Sequence, residues 1–113
     1  MKLVALAVLV AALAVPSALA ASPTLKGTTG PGFTITLTQN GTKVKKLKAG
    51  TYVFKIADKS NIHNFHLKGP GVDKTTSVGG QGSFTWKLKL KKGSYTYVCD
   101  PHKSFMKGSF TVS

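Results

Sequence analysis

The chain has 113 residues, 42% of them hydrophobic, with 16 basic side chains against three acidic ones and a formal net charge of +13 at pH 7. All the basic residues are lysines, and the sequence contains neither arginine nor glutamate. The length predicts one domain, and a single cysteine excludes an intrachain disulfide framework. So basic a chain favours acidic partners and binding that weakens with salt.

The N-terminal segment has the pattern of an export signal. Lys2 precedes an apolar run over residues 3–15, and Ala18-Leu19-Ala20 supplies a small-residue cleavage sequence. The run is shorter than the roughly 20 residues that a membrane-spanning helix needs. We therefore predict a signal peptide over residues 1–20, removed on export to the periplasm or the cell exterior. Residues 21–113 are predicted to form a single domain with no membrane span.

The rest of the chain has the pattern of short β-strands separated by turns. Residues 33–38 alternate apolar and polar side chains and end before Asn40-Gly41, a typical tight-turn pair. Residues 22–32 allow an edge strand, and residues 72–82 are predicted to be a loop or an irregular edge. About seven to eight strands predict an all-β fold, a Greek-key β-sandwich. The further predicted strands cover residues 42–47, 51–57, 63–68, 83–90, 94–99 and 108–112.

Alternation also accounts for most of the lysines. Thr85, Lys87 and Lys89 fall on one side of their predicted strand, and apolar side chains fall on the other. We interpret such lysines as a solvated sheet face, which discourages edge-to-edge aggregation. The same pattern assigns eight aromatic residues to the core: Phe33, Tyr52, Phe54, Phe65, Phe84, Trp86, Tyr95 and Phe110.

The chain's only cysteine lies close to a histidine and a methionine. Cys99 precedes His102 by three residues and Met106 by seven. A thiolate favours Cu(I), imidazoles accept both oxidation states, and a distant thioether adds a weak axial ligand. Two histidines, one cysteine and one methionine are therefore the donor set of a blue-copper site, and we predict one copper ion per chain. A buried structural thiol is the alternative interpretation of Cys99, which the neighbouring His102 and Met106 disfavour.

The second imidazole must come from His63 or His66, far upstream. In a strand, residues 63, 65 and 67 share one face. Phe65 and Leu67 are apolar, so this face is expected to be interior. We therefore predict His63 as the copper ligand and His66 as an exposed histidine that binds no metal.

Two further residues are candidates for supporting the ligands. Asn64 directly follows His63, and we consider that it hydrogen-bonds the Cys99 sulfur or ties the two ligand segments together. The alternative is a simple asparagine at the start of a strand. Pro101 stiffens the turn between Cys99 and His102.

Together, these segments resemble the plastocyanin-like cupredoxin family. The resemblance rests on His63-Asn64, on residues 93–99 leading into Pro101-His102, and on Met106-Lys107-Gly108, and it covers about residues 33–112. It implies a Greek-key β-sandwich that transfers one electron through a mononuclear type 1 copper. The implied equatorial ligands are His63, Cys99 and His102, with Met106 as the weak axial ligand.

The chain departs from the plant-type plastocyanins in its surface. Val98 stands where those proteins carry an exposed tyrosine used for docking, and lysines replace the acidic patch around it. The resemblance then implies that electrons pass through the exposed edge of His102, because the upstream histidine of the family is buried. Pro101 and Phe105 are expected in an apolar patch there, with Lys103 and Lys107 at its rim. Such a patch suits weak contact with an acidic redox partner, and we expect the protein to act as a monomer.

Three other functions fit parts of the sequence. A copper carrier or buffer would use the same four ligands, although carriers favour open sites richer in methionine or histidine. A cationic module for nucleic acid, heparin-like polymers or an anionic cell surface fits the charge, but without arginine there is no bidentate base readout, so no specific nucleic acid is predicted. An enzyme is disfavoured, because three histidines cannot supply the additional sites of multicopper enzymes.

Overall fold

The computed structural model describes residues 21–113. Over this range the chain forms ten strands in two sheets of five strands each. The predicted signal peptide, residues 1–20, lies outside the described residues. The strands are, in chain order, β1 (Thr24–Thr29), β2 (Ile35–Gln39), β3 (Thr42–Lys43), β4 (Lys46–Leu47), β5 (Gly50–Asp58), β6 (His66–Gly69), β7 (Val72–Thr75), β8 (Gly82–Leu90), β9 (Gly93–Val98) and β10 (Lys107–Val112).

The two sheets pack as a sandwich, so the all-β prediction is confirmed. The first sheet has the order β3-β2-β1-β5-β8, and the second has the order β4-β10-β9-β6-β7. Neighbouring strands are antiparallel except for the parallel pairs β1–β5 and β10–β4. Within the described range, the single helical element is a 3-10 turn over Asp100–His102. No helix in this range is long and apolar enough to cross a membrane.

Two predicted strands are placed differently in the structure. β1 lies between β2 and β5 in the middle of its sheet, whereas an edge strand was expected. Its apolar pattern is weak because Gly27 occupies an inward position, where a Cβ would come within 2.6 Å of Ile56 Cδ1. The predicted strand 42–47 is divided into β3 and β4, which belong to different sheets. Val44 is buried where the chain crosses between them.

The segment that carries His63 also differs from the prediction. The expected strand 63–68 begins at His66, and part of the predicted loop 72–82 forms β7 and pairs with it. Residues 63–65 are all buried, so their side chains do not alternate between an inner and an outer face. His63 is interior, as predicted, but strand alternation is not the reason.

The core between the sheets is rich in stacked aromatic rings. Phe65 stacks on Tyr97 with ring centroids 5.5 Å apart, and Tyr95 stacks on Phe110 at 5.1 Å. The first stack joins the chain two residues after His63 to the chain two residues before Cys99. Phe84 and Trp86 pack against the core while partly exposed. Phe33 is 57% exposed, so its assignment to the core was wrong.

Candidate metal centre

Three of the predicted ligands converge at one end of the sandwich. His63, Cys99 and His102 each present one donor atom, and these atoms all lie within 4.8 Å of one another. Cys99 Sγ is 3.6 Å from Nδ1 of His63 and 3.5 Å from Nδ1 of His102, and the two Nδ1 atoms are 3.2 Å apart. Two imidazole nitrogens and one thiol facing a common point form a donor set that fits copper.

The three donors differ in their access to solvent. His63 and Cys99 are fully buried, and His102 is half-buried. In the described part of the chain, Nε2 of His63 is buried without a hydrogen-bond partner. The ring of His63 therefore has its polar contacts on the Nδ1 side, which faces the cluster.

The loop after β9 holds Cys99, His102 and Met106 through its own backbone. The His102 N–H donates to the Cys99 carbonyl at 3.0 Å, within a turn that begins with Asp100 and Pro101. The Met106 N–H donates to the His102 carbonyl at 2.8 Å, and the Cys99 N–H donates to the Met106 carbonyl at 3.0 Å. The side chain of Met106 is buried. Pro101 fits the turn because its fixed φ and missing N–H are tolerated in the first turn of a helical segment.

Asn64 joins the two segments that carry the donors. Its Nδ2 donates to Asp100 Oδ2 at 2.8 Å, and the Asp100 N–H donates to Asn64 Oδ1 at 2.7 Å. The same Nδ2 lies 3.1 Å from Thr75 Oγ1 and 3.3 Å from the Thr76 carbonyl. The His63 segment, the Cys99 loop and β7 are thereby held by one buried side chain.

His66 lies away from the cluster, between two carboxylates. Its Nδ1 is 2.9 Å from Asp100 Oδ2, and its Nε2 is 2.6 Å from Asp73 Oδ1. The side chain is 16% exposed, so the prediction of an exposed histidine was wrong. The reason is that β6 pairs with β7, which carries Asp73, and lies beside the loop that carries Asp100. Two of the chain's three aspartates are thus gathered around this histidine.

These contacts shift the pKa of both partners. Burial alone would lower the pKa of His66, but the hydrogen bonds to Asp73 and Asp100 outweigh it and raise the pKa above 6.5. Burial alone would raise the pKa of Asp100, but hydrogen bonds from Asn64 and His66 lower it below 3.8. Both ring nitrogens of His66 face carboxylate oxygens, and the doubly protonated imidazolium is the form that can donate to both.

Stability should therefore fall as the pH rises through the raised pKa of His66. The imidazolium contributes fully below its unfolded-state pKa of 6.5, and the contribution is lost as the pH rises through the folded-state value. We expect the unfolding free energy of copper-free protein to decline over this interval and the decline to be smaller in His66→Gln. Denaturant unfolding at a series of pH values measures both. Parallel curves for the two proteins would contradict the prediction.

Two exposed aromatic side chains lie close to His102. The Phe33 ring centroid is 5.0 Å from that of His102 and 5.4 Å from that of His63. Phe105 lies 5.7 Å from His102 and is 58% exposed. Ile62, which directly precedes His63 in the sequence, is also exposed. We call Phe33, Phe105 and the edge of His102 the aromatic patch.

Phe33 is the residue of this patch that the sequence did not indicate. Residues 33–38 alternate in polarity, and this pattern placed Phe33 inside, but β2 begins only at Ile35. One sequence feature could have indicated that Phe33 lies outside a strand. This feature is the turn segment Gly30-Pro31-Gly32, which directly follows β1. Gly30 has φ of 78°, and a Cβ there would lie 2.9 Å from His63 Cδ2. Glycine is required at that position by both its conformation and its closeness to the histidine. Of the expected patch and rim, Pro101, Lys103 and Lys107 are exposed.

The sequence matches a known protein family, and the fold is similar to solved structures. A family model described as copper binding proteins of the plastocyanin/azurin family matches residues 32–113. Reduced rusticyanin is similar in structure, with a TM-score of 0.60 and 20% identity over 80% of this chain and 78% of that chain. Rusticyanin from Thiobacillus ferrooxidans has a TM-score of 0.56 and 21% identity over 80% of this chain and 76% of its own. These identities support the fold alone, and the search of curated proteins gave no match.

Proposed function

The chain belongs to the plastocyanin/azurin family of copper-binding proteins and binds one copper ion, and from this premise we propose that it carries single electrons between redox partners. The observation that supports this proposal is the convergence of a buried thiol with two imidazole nitrogens. The bound copper supplies the redox chemistry by alternating between Cu(I) and Cu(II). The residues of the chain hold the donor atoms in place, exclude water from His63 and Cys99, and leave one edge of His102 exposed.

We propose that His63, Cys99 and His102 would hold the copper ion, with Met106 as a fourth and weaker ligand. Support for the first three comes from the distances between their donor atoms. Support for Met106 comes from its burial and from the backbone hydrogen bonds that join it to Cys99 and His102. Asn64 and Pro101 have supporting roles, because the former ties the ligand segments together and the latter shapes the turn.

The packing of the site favours electron transfer over copper carriage. His63 and Cys99 are fully buried, so release of the metal to another protein requires the ligand loop to open. Asn64 opposes such opening through its hydrogen bonds to Asp100. Donors held in one arrangement require little rearrangement between oxidation states, which is what fast electron exchange needs.

The proposed electron port is the aromatic patch. His102 is half-buried beside Phe33 and Phe105, and we expect the exposed Lys103 and Lys107 to lie at the rim. An apolar centre with a cationic rim suits a small, transient interface with an acidic redox partner. We propose no catalytic role, because two of the three histidines are in the cluster and the third is held by carboxylates.

We also propose that the protein is exported. Residues 1–20 have the features of a cleavable signal, and residues 21–113 would be the mature domain, acting as a monomer in the periplasm or outside the cell. N-terminal sequencing of the protein recovered from cell fractions tests this proposal. A mature N-terminus at Ala21 is expected, and a retained Met1 in the cytoplasmic fraction would contradict it.

Changes in the patch and its rim should alter electron exchange without altering the copper site. We expect Phe33→Ala and Phe105→Ala each to slow electron self-exchange, because close approach of two copies at His102 depends on these rings. Lys103→Glu should have opposite effects in two reactions. It reduces repulsion between copies and accelerates self-exchange, but it slows electron transfer from a reduced acidic ferredoxin by about tenfold at low salt.

Self-exchange is measured from NMR line broadening in mixtures of the two oxidation states, and transfer from ferredoxin by stopped flow. Lys92→Glu is the matched control, because Lys92 is exposed in the turn between β8 and β9. This control should leave transfer from ferredoxin near the unmodified rate. Equal effects of Lys103→Glu and Lys92→Glu would show that net charge alone matters and would exclude a port at His102.

A further inference from the structure

A second exposed surface, distinct from the aromatic patch, lies on the outside of the first sheet. Lys26 on β1 is the direct neighbour of Lys55 on β5, and Lys55 is the direct neighbour of Thr85 on β8. Lys87 and Lys89 occupy the next two outward positions of β8 and lie opposite Val53 and Thr51. We call the outward-facing side of β1, β5 and β8 the lysine–threonine face.

The positive charge of this face is not compensated within the molecule. Lys26 and Lys55 lie directly opposite each other in the parallel register, an arrangement that destabilises a sheet. The chain has three acidic residues, and none of them lies on this face. Asp58 ends β5 on the buried side, and the other two contact His66 on the second sheet.

A shallow groove crosses the face between its strands. It has a volume of about 390 Å³, and the residues that line it include Lys26 and Lys55. Three residues with hydroxyl side chains, Thr28, Ser83 and Thr85, line the same groove. Ala57 contributes little side-chain volume on this side, which leaves the space open. Ammonium and hydroxyl donors around one groove suit the oxygens of a phosphate group.

We propose that the lysine–threonine face docks the protein onto an anionic lipid bilayer. The face is a sheet surface several strands wide, with strands about 4.8 Å apart, and such a broad surface matches a plane better than a rod-shaped polymer. The chain has no arginine for base recognition. The breadth of the cationic face and the lack of arginine together favour lipid phosphates as the partner.

The orientation is compatible with electron transfer but does not depend on it. Phe33, His63 and His102 lie at one end of the sandwich, whereas the lysine–threonine face is on a broad side. A protein adsorbed through this face keeps the aromatic patch uncovered along the membrane surface. Binding requires neither copper nor a redox partner, so copper-free protein is expected to bind equally well.

Vesicle sedimentation tests the proposal. The unmodified protein should bind equimolar phosphatidylglycerol–phosphatidylcholine vesicles at low salt and be released as the salt concentration rises. Each lysine near an anionic surface contributes roughly fivefold in binding. The triple variant Lys26→Gln, Lys55→Gln, Lys87→Gln should therefore lose on the order of a hundredfold, and the single variant Lys55→Gln about fivefold.

The matched control removes the same number of charges elsewhere. Lys46, Lys68 and Lys92 are exposed and lie on the second sheet or in a turn, and their replacement by glutamine should leave most of the binding. Equal losses in the two triple variants would overturn the proposal, because net charge alone would then explain binding. Binding to heparin or single-stranded DNA without binding to the vesicles would also overturn it and would identify a soluble polyanion as the partner.

Discussion

Replacing Cys99 with alanine is expected to abolish the intense visible absorption of the Cu(II)-loaded protein. This absorption arises from charge transfer between thiolate and copper, and Cys99 is the only thiol in the chain. The buried thiol lies 3.6 Å and 3.5 Å from the two imidazole nitrogens that complete the donor set. The unmodified protein should show an intense blue band and narrow copper hyperfine splitting in its EPR spectrum, and Cys99→Ala should show neither.

The two upstream histidines supply a matched pair of controls. His63→Ala removes a donor of the cluster and should also abolish the blue band. His66→Ala removes a histidine that contacts only Asp73 and Asp100, so the band should remain. A pale unmodified protein with ordinary square-planar copper signals would contradict the proposed site and would favour copper carriage. Loss of the band in His66→Ala alone would contradict the choice of His63.

The same thiol should couple copper binding to stability. A ligand that binds only the folded state stabilises it by about 4 kcal/mol at a free concentration of a thousand times its dissociation constant. For a domain of this size, that corresponds to a melting temperature higher by roughly 20 °C. Calorimetry with and without Cu(II) measures the shift, which should be nearly absent in Cys99→Ala. Equal shifts in both proteins would show that copper binds elsewhere.

The ligand loop could be predicted from sequence because its donor residues lie close together in the chain. Cys99, His102 and Met106 lie within eight consecutive residues, and backbone hydrogen bonds among these three close the loop. A loop that satisfies its own backbone needs little from the rest of the fold. The distance from the loop to His63, by contrast, depends on how distant segments of the chain pack together, and no short sequence motif predicts that packing.

His63 was the correct choice among the upstream histidines for membership of the cluster, but for an incomplete reason. Strand alternation would place Asn64 outside, whereas the structure buries both residues. Asn64 is buried because Asp100, Thr75 and Thr76 satisfy its amide. Polar residues can occupy interior positions when partners from distant segments are available, and a single sequence does not reveal such partners.

The errors on Phe33 and β1 have a common physical origin. The alternation of apolar and polar residues indicates which side chains share a face of a strand. It does not indicate which other parts of the chain cover that face. Phe33 precedes β2 in the chain. Its exposed ring packs against His63 and His102. β1 is central although its pattern is weak, because the space beside Gly27 is filled by side chains of neighbouring segments. Both placements are decided by long-range contacts.

Replacing Asn64 with alanine should cause a large loss of stability although it leaves the proposed ligands in place. The change removes the acceptor for the Asp100 N–H and the donor to Asp100, Thr75 and Thr76. Each buried polar group left without a partner costs about 1–3 kcal/mol. We therefore expect the unfolding free energy to fall by about 3 kcal/mol, measured by denaturant unfolding of copper-free protein.

The matched control for this substitution is Asn61→Ala, because Asn61 is exposed in a nearby turn. It should change the unfolding free energy by less than about 0.5 kcal/mol. The effect of Asn64→Ala should also extend to the metal, because the tie between Asn64 and Asp100 fixes the Cys99 loop relative to His63. Copper should dissociate faster to a competing chelator from Asn64→Ala than from Asn61→Ala. A stable Asn64→Ala variant with unchanged dissociation would mean that the stacked rings of Phe65 and Tyr97 alone hold the two ligand segments together.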